Sequence, residues 1–123
     1  MSFDWSEYLD LARHLVDQPK GFTREAGLRS ATSRAYYAAF CSARTVAKER
    51  FYFAPTNTGK DHGDVINHFR SLGMEQIAKK LGRMHGWRKQ CDYDGKVDRL
   101  ETIANSAIRY STDVLKLLKW SGR

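Results

Sequence analysis

The sequence predicts an all-α fold, an antiparallel bundle of four to five helices. Apolar side chains recur at steps of three and four residues along four segments, which is the period of an amphipathic helix. No stretch shows the sustained two-residue alternation that is typical of a half-buried strand. At 123 residues the chain fits one domain, which we place at 1–123, and it can bury a core without disulfides or a metal.

The first predicted helix spans about residues 4–18. Its apolar residues, among them Leu9 and Ala12, recur at steps of three and four. Pro19 and Gly21 end it, because proline cannot donate to the helix ladder and glycine suits the turn that follows.

The second predicted helix spans about residues 24–50, with Thr23 as its N-cap. One side carries mostly small residues, on which another helix can approach closely: Leu28, Ala31, Ala35, Ala38, Ala39, Ser42 and Val46. A second side carries further apolar residues: Tyr36, Phe40, Ala43, Ala47 and Phe51. A helix that is apolar over most of its circumference belongs in the middle of a bundle or in a bundle plus a dimer interface. We therefore predict a homodimer.

A long loop and three further helical pieces make up the rest of the chain. Residues 52–61 form the loop. A third helical region follows in two pieces, at about 62–71 and 74–91, with a break at Gly73. The last helix spans about 97–119, and its apolar stripe has the spacing of antiparallel bundle packing.

The charge of the chain favours a nucleic-acid partner without requiring one. The 21 Lys and Arg residues outnumber the 14 Asp and Glu residues, which gives a net charge of +7. A basic surface suits nucleic acid, anionic lipid or an acidic protein. The alternative is an ordinary solvated surface, because the basic residues are spread along the chain.

We expect a soluble protein of the cytoplasm. The chain begins without the basic and apolar regions of a signal peptide, and no apolar stretch approaches the ~20 residues that span a bilayer. Cys41 and Cys91 lack a CxxC or CxxH partner, which indicates a reducing compartment and no structural zinc. The Thr58-Gly59-Lys60 segment is not a P-loop, because the first glycine and the preceding strand are missing. We predict no cofactor.

The most informative feature is an arginine at a core position of the third helical region. The stripe there consists, in order, of Ile77, Leu81, Met84, Arg88 and Cys91. Asp92 lies four residues beyond Arg88, within ion-pair reach on a helix, and Tyr93 adds a phenol beside it. One interpretation is a satisfied Arg88–Asp92 pair that closes the helix. The other is a polar site where the core opens, because inward charges often mark functional sites.

The histidines and the other basic residues are less specific. No two histidines have the three- or four-residue spacing of a helical metal site, and we predict no metal. We interpret His14, His68 and His85 as surface or packing residues, whereas His62 starts a helix after the long loop and is a site candidate. On the second helix we interpret four residues as packing and ion-pairing residues: Arg34, Tyr36, Tyr37 and Arg44. The alternative is that Tyr37, Cys41 and Arg44, which share a side, line the same polar cleft as Arg88. The candidate phosphate contacts are Arg34, Arg44, Arg88 and Lys89.

Three segments resemble, in order and spacing, the small prokaryotic HEPN proteins, in the branch that carries an Arg followed by an Asp-Tyr pair. The segments are Ser33-Arg34-Ala35-Tyr36-Tyr37-Ala38-Ala39-Phe40, His62-Gly63-Asp64-Val65-Ile66 and Arg88-Lys89-Gln90-Cys91-Asp92-Tyr93-Asp94. The match covers roughly residues 5–118. The resemblance implies an antiparallel helical bundle that usually dimerises, with the motif of both protomers near the dimer cleft.

The resemblance also has implications for function. Many HEPN relatives are RNA-cleaving toxins or effectors, and many pair with a minimal nucleotidyltransferase as antitoxin. The active ribonuclease branch places a His a few residues after the Arg, where this chain has Tyr93, Asp94 and Gly95. Whether the chain is an enzyme therefore stays open.

We expect a homodimeric HEPN protein of a toxin–antitoxin or defence type system that binds RNA or a nucleotide. In the catalytic interpretation it is a metal-independent ribonuclease with a degenerate motif. Arg88 would then hold the phosphate, Asp92 would orient it, and Tyr93 or His62 would complete the catalytic site. The alternative is a non-catalytic helical interaction module whose partner is a nucleotidyltransferase-like protein and whose Arg88–Asp92 pair is structural.

Overall fold

Five helices account for most of the chain. The computed structural model describes residues 2–17 and 20–121, and within them it contains no strand. The helices are α1 (Glu7–Asp17), α2 (Arg24–Arg50), α3 (Asp61–Ser71), α4 (Glu75–Tyr93) and α5 (Leu100–Ser121). The prediction of an all-helical bundle is confirmed. Within the same residues, no helix is both long and apolar enough to cross a membrane.

The first helix is shorter than predicted. It begins at Glu7 because the Asp4 carboxylate accepts hydrogen bonds from the backbone N–H and the hydroxyl of Ser6, at 3.0 and 2.6 Å. The carboxylate thus caps a turn formed by residues 5 and 6, and the regular α-helix starts directly after that turn. Gly21 has a φ of 82°, as the predicted turn requires. The predicted end at residue 18 and Pro19 lies outside the described residues.

The other boundaries follow the prediction within a few residues. The side chain of Thr23 caps α2 by accepting the backbone N–H three residues later, at 3.1 Å. The break before α4 falls at Gly73, whose φ is 78°, and α4 continues through Tyr93. α5 begins at Leu100 instead of near residue 97, because the preceding Arg99 has a left-handed backbone with a φ of 59°.

α2 is the central helix, and its small residues pack against α1 and α5. This core cluster consists of Leu9, Ala12, Ala31, Ala35, Ala38 and Ala107. Arg24 near the start of α2 pairs with Glu101 near the start of α5 at 3.3 Å. Near the other ends of the two helices, Val46 and Leu118 line one shared groove. α2 and α5 therefore run in the same direction, in contact through small side chains. The antiparallel packing predicted for the last helix is wrong for this pair of helices.

The second apolar side of α2 is covered within the chain itself by α3 and α4. Tyr36, Phe40, Ala43 and Ala47 are all buried there. They join a larger core cluster with residues from three other helices: Val65, Phe69, Ile77, Ala78, Leu81, Met84, Val114 and Leu118. The two apolar sides thus do not by themselves require a second copy, and the homodimer stays a prediction.

Arg29 of α2 fastens the end of α4. Its guanidinium donates to the carbonyl oxygens of Cys91, Asp94 and Gly95 at 3.0, 2.6 and 3.1 Å. Its Nε lies 3.1 Å from a carboxylate oxygen of Glu25. The carbonyl groups at a helix C-terminus lack partners inside the helix, so such a donor stabilises the last turn. This contact explains why α4 extends past its predicted end at residue 91.

The carboxylate of Asp61 fastens the loop that precedes α3. It accepts the backbone N–H and the hydroxyl of Thr56 at 2.8 and 2.7 Å, and the N–H of Asn57 at 3.0 Å. These hydrogen bonds, the backbone bond from Thr56 first, hold the pKa of Asp61 below its usual 3.8. Arg44 lies 3.8 Å from the same carboxylate. Because His62 is the next residue, this anchor also fixes the position of His62.

Candidate functional site

The guanidinium of Arg88 is buried between α2 and α4 with few partners. Arg88 is 8% exposed, as its place in the apolar stripe predicts. Its Nη2 donates to the Tyr37 hydroxyl at 3.0 Å, and its Nη1 lies 3.7 Å from Oδ2 of Asp92. Its Nε is buried and has no hydrogen-bond partner among the described residues. Buried polar groups are normally bonded, so this guanidinium has unused donor capacity.

Aromatic rings surround the same guanidinium. Its Cζ atom lies 5.3 Å from the ring centre of Tyr37 and 5.9 Å from those of Tyr36 and Tyr93. A cation within about 6 Å of a ring centre is attracted to the face of the ring. Tyr93 is 77% exposed, whereas Tyr36 is fully buried. The cation is therefore enclosed by rings from the core outward, and Tyr93 forms the solvent side.

Asp92 lies at the solvent side of the site and makes only long contacts with it. Its side chain is 31% exposed, and its Oδ2 also accepts a hydrogen bond from the Ser33 hydroxyl at 3.5 Å. Both this bond and the 3.7 Å approach of Arg88 are long for their type. The predicted pair between Arg88 and Asp92 is thus present, but it is a weak contact at the edge of the cleft.

Two stacked histidines extend the cluster toward α3. The rings of His62 and His85 are 4.9 Å apart at their centres and 3° from parallel. The Tyr36 hydroxyl and the Nδ1 atom of His62 are 2.5 Å apart in a hydrogen bond. Phe40 stacks on His62 at 4.3 Å. The structure thus places His62 within the same cluster as Arg88, through the ring and the hydroxyl of Tyr36.

Burial and neighbouring cations keep both imidazoles neutral at neutral pH. Burial, followed by the charges of Arg88 and Arg44, lowers the pKa of His62 below its usual 6.5. Burial, followed by His62 and Lys89, lowers the pKa of His85 from 6.5 to about 4. A neutral imidazole can accept a proton from a reacting group. An imidazole with a pKa near 4 is mostly unprotonated at pH 7, so it is a poor proton donor.

The predicted phosphate contacts do not all belong to this cluster. Arg44 lies at its edge, with its Cζ 5.2 Å from the ring of Phe40 and its charge acting on His62. Lys89 is exposed and acts electrostatically on His85. Arg34 instead lies over the ring of Tyr8 at 4.9 Å, where it packs against α1. Of the candidates named from the sequence, Arg34 is the one that the fold directs elsewhere.

Sequence reasoning missed two members of the cluster, Tyr36 and His85. The sequence indicates packing for Tyr36 and a surface or packing role for His85, whereas it makes Tyr37 a candidate for the lining of the polar cleft. A signal for His85 exists in the sequence, because it precedes Arg88 by three residues and Asp92 by seven, on the same side of a helix. Its stacking partner on α3 is distant in sequence and could be found only in the folded chain.

No family model, no curated protein and no solved structure matches this chain. In residues 2–17 and 20–121 there is also no group of three or more His, Cys, Asp or Glu side chains that could hold a metal ion. The cluster presents one guanidinium, one carboxylate, two imidazoles and three phenols.

Proposed function

We propose that the chain is a HEPN-type protein of a toxin–antitoxin or defence type system that binds RNA or a nucleotide at this cluster. The observation that supports the proposal most directly is the buried Arg88, whose Nε has no partner, next to two neutral histidines. A guanidinium is always charged and matches the geometry of a phosphate. The resemblance to HEPN proteins adds the biological setting.

A phosphate group would reach Arg88 by displacing Asp92. The carboxylate is partly exposed and its approach to Nη1 is 3.7 Å, so it is weakly held. In the absence of a ligand, Asp92 supplies the negative charge that a phosphate would supply. The exposed ring of Tyr93 lies beside this entrance, where it can contact a base or a ribose.

The same cluster supplies only part of what RNA cleavage requires. Cleavage without a metal needs a base for the 2′-hydroxyl proton, an acid for the leaving oxygen and a cation on the phosphate. His62 is neutral and can serve as the base, and Arg88 is the cation. His85, with a pKa near 4, is a poor acid at neutral pH. A missing acid costs about 10²–10⁴ in rate, so the protein binds RNA well but cleaves it slowly at best.

The proposal includes a homodimer in the cytoplasm and a nucleotidyltransferase-like antitoxin as partner. Both rest on the resemblance, because the apolar sides of α2 are covered within one chain. Light scattering tests the dimer directly, since a monomer has a mass of 14.2 kDa and a dimer twice that mass. Co-expression with a minimal nucleotidyltransferase, followed by co-purification, tests the partner.

The experiment for the site is RNA binding by fluorescence anisotropy over a range of salt concentrations. We expect Arg88→Met to weaken binding about tenfold or more, which corresponds to about 1.4 kcal/mol. The slope of log affinity against log salt should fall by about 0.7, the value for one lost phosphate contact on a single strand. The matched control is Arg13→Met, because Arg13 is an exposed arginine on α1. Equal losses in both variants would contradict a site at Arg88.

The second candidate function is the non-catalytic interaction module, and the missing acid favours it. Cleavage of a labelled RNA in a metal-free buffer distinguishes the two functions. A slow cleavage that His62→Gln abolishes would support the catalytic site. Cleavage at the same rate in His62→Gln would exclude His62 as the base. An absence of cleavage together with Arg88-dependent binding would leave a binding protein.

A further inference from the structure

A groove between α4 and α5 is lined by aromatic and basic side chains that the cluster around Arg88 does not use. It encloses a cavity of about 430 Å³, with Arg83 and Trp87 on α4 and Tyr110 on α5. At about 100° per residue, Arg83 and Trp87 point to the side of α4 opposite to His85 and Arg88. The groove is therefore a separate surface of the same helix.

The aromatic pair of the groove is flanked by cations. Trp87 and Tyr110 have ring centres 5.2 Å apart and planes at 44°. Arg83 lies over the Trp87 ring at 5.2 Å. Lys80 and Arg109 lie over the Tyr110 ring at 4.4 and 5.9 Å. Both rings rest on the core below and are only partly buried, so they are held in place while part of each remains accessible.

Arg99 lies at the end of the groove in an unusual conformation. Its φ is 59°, in the left-handed region that glycine prefers and that a long side chain rarely adopts. Its side chain lines the groove and forms no hydrogen bond or ion pair within the described residues. Its guanidinium therefore adds an unpaired positive charge to this end of the groove.

The acids near the groove do not neutralise it. Asp98 lies in the lining, with Lys96 3.9 Å away, and Asp113 is 3.4 Å from Lys80. The cations in and around the lining are Lys80, Arg83, Arg99 and Arg109. The groove therefore carries a net positive charge next to accessible rings, and Gln90, Thr102 and Ser106 add hydrogen-bonding groups.

We infer that this groove binds single-stranded RNA. A base stacks on the exposed parts of Trp87 and Tyr110, while Arg83 and Arg99 contact the flanking phosphates. Proteins that bind single-stranded nucleic acid commonly combine a positively charged groove with aromatic side chains, because every base has a flat face that can stack on a ring. The inference goes beyond the proposed function, since it adds a second contact on the opposite side of α4. It does not depend on Arg88.

The experiment measures binding of two labelled oligonucleotides to the full chain: a single-stranded RNA and an abasic strand with the same number of phosphates. Trp87→Leu should weaken RNA binding about tenfold and leave abasic binding nearly unchanged. Arg99→Gly should weaken binding of both strands by several-fold. This variant also relieves the left-handed backbone, so the protein keeps its fold even if Trp87→Leu does not. The control is Arg13→Gln, which removes one exposed charge from α1, outside the lining of the groove.

Three results would overturn the inference. One is unchanged RNA affinity in Arg99→Gly and in a folded Trp87→Leu. The second is equal affinity of the wild-type chain for the RNA and the abasic strand, which would exclude stacking. The third is an acidic peptide that displaces the RNA and binds as tightly as the RNA does, which would indicate a protein partner. The same variants measured in an Arg88→Met background separate this groove from the first site, because the two losses should be additive.

Discussion

Replacing Arg88 with Met should leave the stability of the protein nearly unchanged, although Arg88 is buried in the core. The guanidinium contributes one charged hydrogen bond to Tyr37, worth about 1.5–3 kcal/mol. It also forms the long pair with the partly exposed Asp92, worth about 0.2–1 kcal/mol. Desolvation of the buried cation costs several kcal/mol and offsets the stabilisation from these contacts. We therefore expect a change of within about 1 kcal/mol, because Met fills the space of the arginine stem.

The same substitution at Arg29 provides the matched comparison. Arg29 donates to three carbonyl oxygens at the end of α4 and pairs with Glu25. Arg29→Met removes these charged hydrogen bonds and leaves the end of the helix without them. We expect a loss of at least about 1.5–3 kcal/mol for Arg29→Met, which is the contribution of a single charged hydrogen bond. Arg88 is more buried than Arg29. We nevertheless expect Arg29→Met to lower the free energy of unfolding more than Arg88→Met does.

The assay is urea unfolding followed by far-ultraviolet circular dichroism, with the slope against urea checked for constancy. A loss of more than about 2 kcal/mol in Arg88→Met would refute the reasoning, because it would show that the guanidinium is a net stabilising contact. A double-mutant cycle with Asp92→Asn adds a second check. Its coupling energy should be about 0.2–1 kcal/mol for such an exposed, long pair.

Two further predictions concern titration and the loop. The folded-state pKa of His85 is lowered from 6.5 to about 4, so the unfolded chain binds more protons between these values and stability falls as pH falls through this window. The depression of the pKa corresponds to at most about 3.4 kcal/mol, and because the ring is partly exposed we expect about 1–2 kcal/mol of it. His85→Phe should therefore flatten the pH dependence of the urea midpoint. Asp61→Asn should cost about 2–4 kcal/mol in urea unfolding, because a buried acceptor of three hydrogen bonds is changed. The control is Asp64→Asn in the same helical turn, which breaks a pair between the partly exposed Asp64 and the exposed Lys60 and should cost less than about 1 kcal/mol.

The fold was predictable because its signals are local. The steps of three and four residues identify the helices, and Thr23 marks the start of α2 by its own side chain. The apolar stripe of α4 also predicts that Arg88 is buried, since neighbours on one side of a helix share one environment. These features depend on residues a few positions apart, which a sequence displays directly.

The rest of the site depends on contacts between distant segments. His62 on α3 stacks on His85 on α4. The hydrogen bonds from Arg29 to the end of α4 join residues more than sixty positions apart. The dimer surface expected on α2 likewise depends on contacts that the sequence does not display. Periodicity indicates that a side is apolar, but it does not indicate whether α3 and α4 of the same chain or a second copy covers it.

One physical cause gives Arg88 and the two histidines their properties. Burial against α2 removes water from the guanidinium, and it lowers the pKa of both imidazoles. Apolar side chains would fill this volume at a lower cost in desolvation, so the polar groups are not explained by the stability of the fold. An anion changes this balance. A phosphate satisfies the donors of the guanidinium, and its negative charge favours proton uptake by His62. A negatively charged ligand, as we propose for this site, would complete its electrostatics, whereas the long contact with Asp92 completes them only in part.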